Sequence, residues 1–402
     1  MFIGTDRLVF GLFVVGTFGL ILGLTTNVCD ANSGAEEVYE DLYNSTEQGI
    51  LGHAVGKSAY DSNDLEGIWY VHSLASGQGD PWWEHGHLVV NPDCSFSGVI
   101  NEYKRNPYET LGQFLIAPNG VVTFIGSPKD PDVVVFPHLH MAENKYLVVG
   151  VETWSTVSPG TTQITVLTRR GESYQISDLM GTWYVHSLAS GPGAPWWEHG
   201  PLVVNADGSF SGILQEYKSE PDEISGQFLI DPNGVVTIEG KPKNPYTNGY
   251  CILHLTVDKN VIIGIGTWST ASPGTTELKI LTRRGTNYTI SDMAGRWYVY
   301  SLASGPGSPW WLYGPIGIEA DGSFSGLVQE YNDDPDEVSG QFQIDMNGVV
   351  TIEGKPQDPY ANGYGVLHLS ADKNVIAGVA TWSSGSPGTS DITVFTRIAT
   401  TD

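Results

Sequence analysis

Trp69, Trp183 and Trp297 stand 114 residues apart, each inside the same short string: Gly67-Ile68-Trp69-Tyr70, Gly181-Thr182-Trp183-Tyr184 and Gly295-Arg296-Trp297-Tyr298. The register continues without a gap, so Phe96, Phe210 and Phe324 correspond, as do Arg169, Arg283 and Arg397. A period of this length is close to domain size and far longer than a solenoid repeat, so each copy can close a core of its own. The chain therefore divides into three repeats over 63–172, 177–286 and 291–402. A leader over 1–31 and an acidic spacer over 32–62 precede them.

The middle copy predicts eight strands: Thr182–Leu188, Leu202–Asn205, Ser209–Tyr217, Gly226–Ile230, Val235–Glu239, Cys251–Val257, Val261–Trp268 and Glu277–Arg283. Short runs of Val, Ile, Thr and aromatic residues between Gly-rich turns carry that reading. Asp207-Gly208 and Asn233-Gly234 supply the positive φ angles of tight hairpins. Tight links alternate with long Pro- and Gly-rich ones, which in an antiparallel meander lie at opposite ends. One end is thus stitched shut and the other carries long loops around an opening. The pattern predicts an all-β chain of three tandem eight-stranded up-and-down barrels, closure removing the exposed edges. The same strands could instead form two four-stranded blades per copy, giving a six-bladed propeller.

At this point the repeat resembles the lipocalin and avidin-like barrels, the calycin group. There Gly-x-Trp opens the first strand at the closed end, and an arginine near the end of the last strand packs across the tryptophan. The resemblance implies the structural pairs Trp69 with Arg169, Trp183 with Arg283, and Trp297 with Arg397. It also implies a ligand held in a cup-shaped lumen. Avidin's ligand contacts have no residue-by-residue match, so biotin binding is not carried over.

The long link after the first strand holds Trp82-Trp83-Glu84-His85, Trp196-Trp197-Glu198-His199 and, in the third copy, Trp310-Trp311-Leu312-Tyr313. In a barrel these residues would lie over the mouth, where paired indoles stack on sugars or cover an apolar ligand, or fold inward as plugs. Glu216 at the end of the third strand, and Tyr246, Tyr250, Tyr360 and Tyr364 on the link before the sixth, would complete such a rim. Glu84-His85 and Glu198-His199 could work as acid–base pairs, but the third copy has Leu312 and Tyr313 instead. No catalytic residue, cofactor or metal ligand is assigned. The three cysteines, Cys29, Cys94 and Cys251, are not repeated features and suggest neither a disulfide framework nor a zinc site.

A net charge of −26, from 45 acidic and 19 basic residues, repels phosphate backbones and argues against nucleic acid. Arg7 precedes an apolar run from Leu8 to Leu24, which reads as an export signal, a retained anchor or, with Cys29, a lipoprotein leader. The expected protein is secreted or on the cell surface, touching a membrane only through that anchor. It would bind a small apolar or sugar-like ligand. The alternative is a structural, adhesive repeat protein with filled barrels, and a third is an enzyme using mouth carboxylates.

Overall fold

The computed structural model describes residues 59–77, 82–125, 137–154, 160–193, 196–268, 273–307, 310–382 and 386–399. The leader and all of the spacer before residue 59 lie outside the described residues. Strands β1–β8 run between Gly67 and Arg169, β9–β16 between Gly181 and Arg283, and β17–β24 between Gly295 and Arg397. Each set closes into an antiparallel eight-stranded barrel in chain order, its first strand bonded to its last. That closure rules out the radial blades of a propeller.

In the second barrel the strands are β9 (Gly181–Ser190), β10 (Trp196–Val204), β11 (Ser209–Glu216), β12 (Asp222–Ile230), β13 (Val235–Ile238), β14 (Cys251–Leu255), β15 (Val261–Thr267) and β16 (Thr276–Arg283). Alternation along each strand sends Trp183, Val185, Leu202, Phe210, Phe228 and Leu281 into one buried lower core. The turns at the closed end use Gly208 at φ 88°, and Cys94 takes φ 58° at the equivalent place in the first barrel.

The floor is built alike three times. A one-turn 3-10 segment, Ile176–Leu179 in the second copy, leads into β9, and the Trp183 indole Nε1 donates to the Leu179 carbonyl at 2.8 Å. Arg283 pairs in register with Trp183, and its guanidinium lies 4.3 Å from the indole centroid. Its Nε donates to the Lys259 carbonyl at 2.7 Å and its Nη1 to the Met180 carbonyl at 2.6 Å, while Nη2 reaches the Asp178 carbonyl. Arg397 lies 4.4 Å from the Trp297 centroid and Arg169 lies 5.4 Å from that of Trp69.

The barrels form a closed ring. The outward faces of the strands that include β15 and β16 bury Leu188, Trp197, Ile263, Ile265, Leu278 and Ile280 with their counterparts in a single cluster shared by all three barrels. That is why β15 is buried along its whole length. Trp83 Nε1 donates to Thr267 Oγ1 of the second barrel at 2.8 Å, and Trp197 Nε1 to Thr381 Oγ1 of the third at 2.8 Å. Trp311 Nε1 closes the circle on Thr153 Oγ1 of the first at 2.6 Å. At the pseudo-threefold axis, Asn144 Nδ2 donates to Asp258 Oδ2 at 3.1 Å and to Asp372 Oδ2 at 3.4 Å. The end of the third barrel also meets the segment leading into the first, the Ala399 amide donating to the Tyr60 hydroxyl at 3.2 Å.

Strand β10 starts at Trp196, not at Leu202 as the sequence suggests. The Trp-Trp segment is strand and not rim loop because Trp197 has a neighbouring barrel to pack on. Gly200 lets β11 approach, since a Cβ there would fall 2.2 Å from the Ile213 carbonyl oxygen. Replacing Arg283 with Met keeps an apolar stem but removes the cation over Trp183 and its carbonyl bonds. The variant is expected to lose about 2–4 kcal/mol in urea unfolding, toward the lower end because the group is partly solvated.

Candidate ligand-binding site

Above the apolar floor each lumen has a polar upper half, and here the copies differ. Cross-strand pairing sets Ser187 beside both Glu198 and Lys279, and Glu277 beside Gly266. The matching positions are Ser73, Glu84, Thr165, Gln163 and Glu152 in the first barrel, and Ser301, Leu312, Thr393, Asp391 and Ala380 in the third.

Side chains satisfy one another in the first lumen. Tyr108 Oη donates to Glu84 Oε1 at 3.0 Å, Gln163 Nε2 to Glu84 Oε2 at 3.3 Å and Thr165 Oγ1 to Glu152 Oε1 at 3.0 Å. Burial, reinforced by Glu84, pushes the Glu152 carboxyl up to about 7. In the second lumen Lys279 Nζ lies 3.0 Å from Glu277 Oε2 and 3.1 Å from Glu198 Oε2, and Trp268 Nε1 donates to Glu277 Oε2 at 3.0 Å. The two carboxylates hold the Lys279 ammonium charged against its burial.

The third lumen has smaller or uncharged groups at the same places. With Thr393 for Lys279 and Asp391 for Glu277, there is room for a cavity of about 320 Å³ lined by Asp391, Thr393, Trp382, Ala380, Phe395 and Lys355, among others. Trp382 Nε1 donates to Asp391 Oδ2 at 3.1 Å, as Trp268 does to Glu277, but the buried Oδ1 has no hydrogen-bond partner. Burial pushes the Asp391 carboxyl up to about 6, while the Trp382 indole, the Ala380 backbone and Lys355 pull the other way.

The paired tryptophans separate. Trp83, Trp197 and Trp311 are fully buried between barrels. Trp82 and Trp196 are also buried, and Trp196 meets Trp268 edge-on at 4.9 Å. Trp310 meets Trp382 edge-on at 4.6 Å beside the cavity, its Nε1 donating to Glu330 Oε2 at 3.1 Å. His85 and His199 face outward, where their Nε2 atoms meet the hydroxyls of Tyr250 at 2.9 Å and Tyr364 at 2.8 Å on the next barrel. Burial pulls both imidazoles down to about 4. Tyr313 stacks on His138 at 3.9 Å across the third interface. Glu84 and Glu198 point into lumens, away from the histidines that follow them, so neither Glu-His pair is an acid–base couple.

Glu216 is half-buried at the second mouth, and burial followed by Glu198 raises its carboxyl. Tyr246 and Tyr360 are exposed, and the Tyr360 hydroxyl donates to the Ser219 carbonyl of the second barrel at 3.0 Å. Asp391, Thr393 and Lys279 escape a sequence reading that follows what the copies share, whereas Trp382 belongs to the repeated set Trp154, Trp268 and Trp382. The signal for the first three is the reverse: inward positions of the last strand where the copies disagree.

No protein-family model matches the chain, and no curated protein matches its sequence. Among solved structures it is similar to a protein of unknown function of the DUF3598 family from Nostoc punctiforme, at 8% identity over 86% of this chain and 100% of that one, with a TM-score of 0.21. A transferrin binding protein B double mutant from Haemophilus parasuis matches at 9% identity over 83% of this chain and 76% of that one, TM-score 0.28. Transferrin binding protein B of isotype 1 from serogroup B Neisseria meningitidis matches at 10% identity over 83% and 77%, TM-score 0.24. Likeness at this level carries no weight for function, and the barrels rest on their own strand pairing.

A carboxyl raised from 3.8 to about 6 by folding stabilises the folded chain fully below 3.8 and loses that contribution as pH rises through 6. Asn does not titrate. Asp391→Asn is therefore expected to gain about 2–3 kcal/mol over the parent between pH 4 and pH 8 in urea unfolding. A difference that ignores pH would contradict an unpaired buried carboxylate.

Proposed function

We propose that the chain is a binding protein built as a ring of three calycin-like barrels, in which the third lumen takes a small ligand and the first two are filled by their own side chains. The observation that carries this reading is Asp391: a buried carboxylate with one oxygen unpartnered, in the wall of a cavity of about 320 Å³. Leaving such a group unpaired costs about 1–3 kcal/mol or more, a cost that a ligand's polar group offsets. The volume lies at the small end of ordinary ligand pockets. Trp310 and Trp382 stand at that mouth, whereas the second tryptophan of each pair serves the ring.

Binding is favoured over catalysis because each glutamate of the Glu-His strings is in a different compartment from its histidine. The leader string supports a secreted or cell-surface protein, and the acidic surface disfavours nucleic acid. The repeat boundaries 63–172, 177–286 and 291–402, with the leader and spacer before them, belong to the same proposal. In the first and second barrels the side-chain clusters around Glu84 and Glu152 and around Lys279 favour a second role for those barrels, as rigid acidic spacers.

Isothermal titration of the full chain with four-carbon amines, alcohols and carboxylates and with monosaccharides tests the reading. At least one class is expected to bind with a stoichiometry near one per chain. Ala380→Phe, which fills the cavity, is expected to abolish it. Three equivalent sites, or no binding in any class, would contradict a single open lumen.

A further inference from the structure

Resting on that reading of the third lumen as a binding site, we infer that its ligand presents a primary ammonium group, seated where the second barrel carries the ammonium of Lys279. The protein contains its own reference complex. In the second lumen one carboxylate accepts from an indole, Trp268 Nε1 to Glu277 Oε2 at 3.0 Å, and pairs with Lys279 Nζ at 3.0 Å. The same Nζ lies 3.5 Å from Ser187 Oγ and 3.1 Å from Glu198 Oε2.

The third lumen repeats the indole, the carboxylate and the serine without the cation. Trp382 Nε1 holds Asp391 Oδ2 at 3.1 Å, and Ser301 stands where Ser187 does, hydrogen-bonded to Thr393 Oγ1. Thr393 occupies the Lys279 position and carries no charge, and Asp391 Oδ1 is left without a partner beside the cavity. The third lumen thus has the carboxylate and its indole as the second does, with room and an uncharged threonine, as at Thr165 in the first barrel, where the second has its ammonium.

The other charges agree with a cationic guest. Glu330 is held at the rim by Trp310, and its carboxyl is raised first by burial and then by Asp336 and Asp333 nearby. Lys355 lines the cavity, yet among the described residues no basic group comes within ion-pair distance of Asp391. Its counterpart Lys241 is present in the second barrel together with Lys279, so a lysine at that position does not stand in for the missing ammonium. Among the described residues, no group of His, Cys, Asp and Glu there is suited to a metal ion. Leu367, Phe395 and Ile352 in the cavity wall accept a short apolar body behind the charged head.

The experiment compares n-butylamine, 1-butanol and butyrate with the full chain at pH 7.5 by isothermal titration. Butylamine is expected to bind about tenfold or more tighter than either analogue, the difference a charge-assisted hydrogen bond makes. Asp391→Asn is expected to narrow the amine-over-alcohol gap. Thr393→Lys, which supplies an internal ammonium, is expected to abolish amine binding, the new side chain pairing with Asp391 as Lys279 pairs with Glu277. Butanol binding as tightly as butylamine, or an unchanged gap in Asp391→Asn, would overturn the inference while leaving the third lumen as a binding site. Binding of none of the three would remove the site itself and the inference with it. If Thr393→Lys does not fold, Asp391→Asn alone decides.

Discussion

The indole of Trp311 lies buried against the first barrel, donating to Thr153 in a strand 158 residues earlier. Together with the equivalent contacts of Trp83 and Trp197, it turns three tandem barrels into one ring. A single barrel of this sequence would expose Ile263, Ile265, Leu278, Ile280 and Trp197 on one wall, an apolar patch that a lone soluble domain rarely tolerates. Packing three such walls on one another covers them all. The axis has its own constraint, because a strict repeat would bring three carboxylates together. Asn144 in place of a third aspartate donates to both Asp258 and Asp372 and relieves their repulsion.

This arrangement divides each barrel into parts with different freedom to change. The floor must keep Trp and Arg, since the arginine ties the lead-in turn to the last strand. The outward wall must keep its aliphatic residues and Trp-Thr contacts, since the ring depends on them. The upper lumen has neither duty, and there the copies diverge: a hydrogen-bonded acid and amide cluster, a lysine with two glutamates, and a cavity with a lone aspartate. Histidines follow the wall's logic. His72 with His254 and His186 with His368 form buried pairs at 2.9 and 2.8 Å, and burial pulls His72 down to about 3, so the pairs are neutral.

Much of the fold was legible because it rests on local and periodic signals. The repeat of Trp183 and Arg283 gave the closed floor, and the turn chemistry at Asp207-Gly208 gave the hairpins. The ring was not legible. Trp197 and Ile263 are apolar residues whose partners lie in another copy, and one strand pattern serves an inner wall and an outer one equally well. For that reason the second tryptophan of each pair, Trp83, Trp197 and Trp311, read as rim and lies at an interface. The cavity was missed for a related reason: its mark is a combination, Asp391 beside an uncharged Thr393 and across from Ala380, and a reading of what the copies share passes over positions where they differ.

The ring is tested most directly by a double-mutant cycle on Trp311→Phe and Thr153→Val, read by urea unfolding. These residues sit in the first and last barrels and have no contact unless the circle closes. A coupling energy of about 1 kcal/mol is expected for their buried hydrogen bond. Strict additivity of the two substitutions, within about 0.3 kcal/mol, would contradict the closed ring.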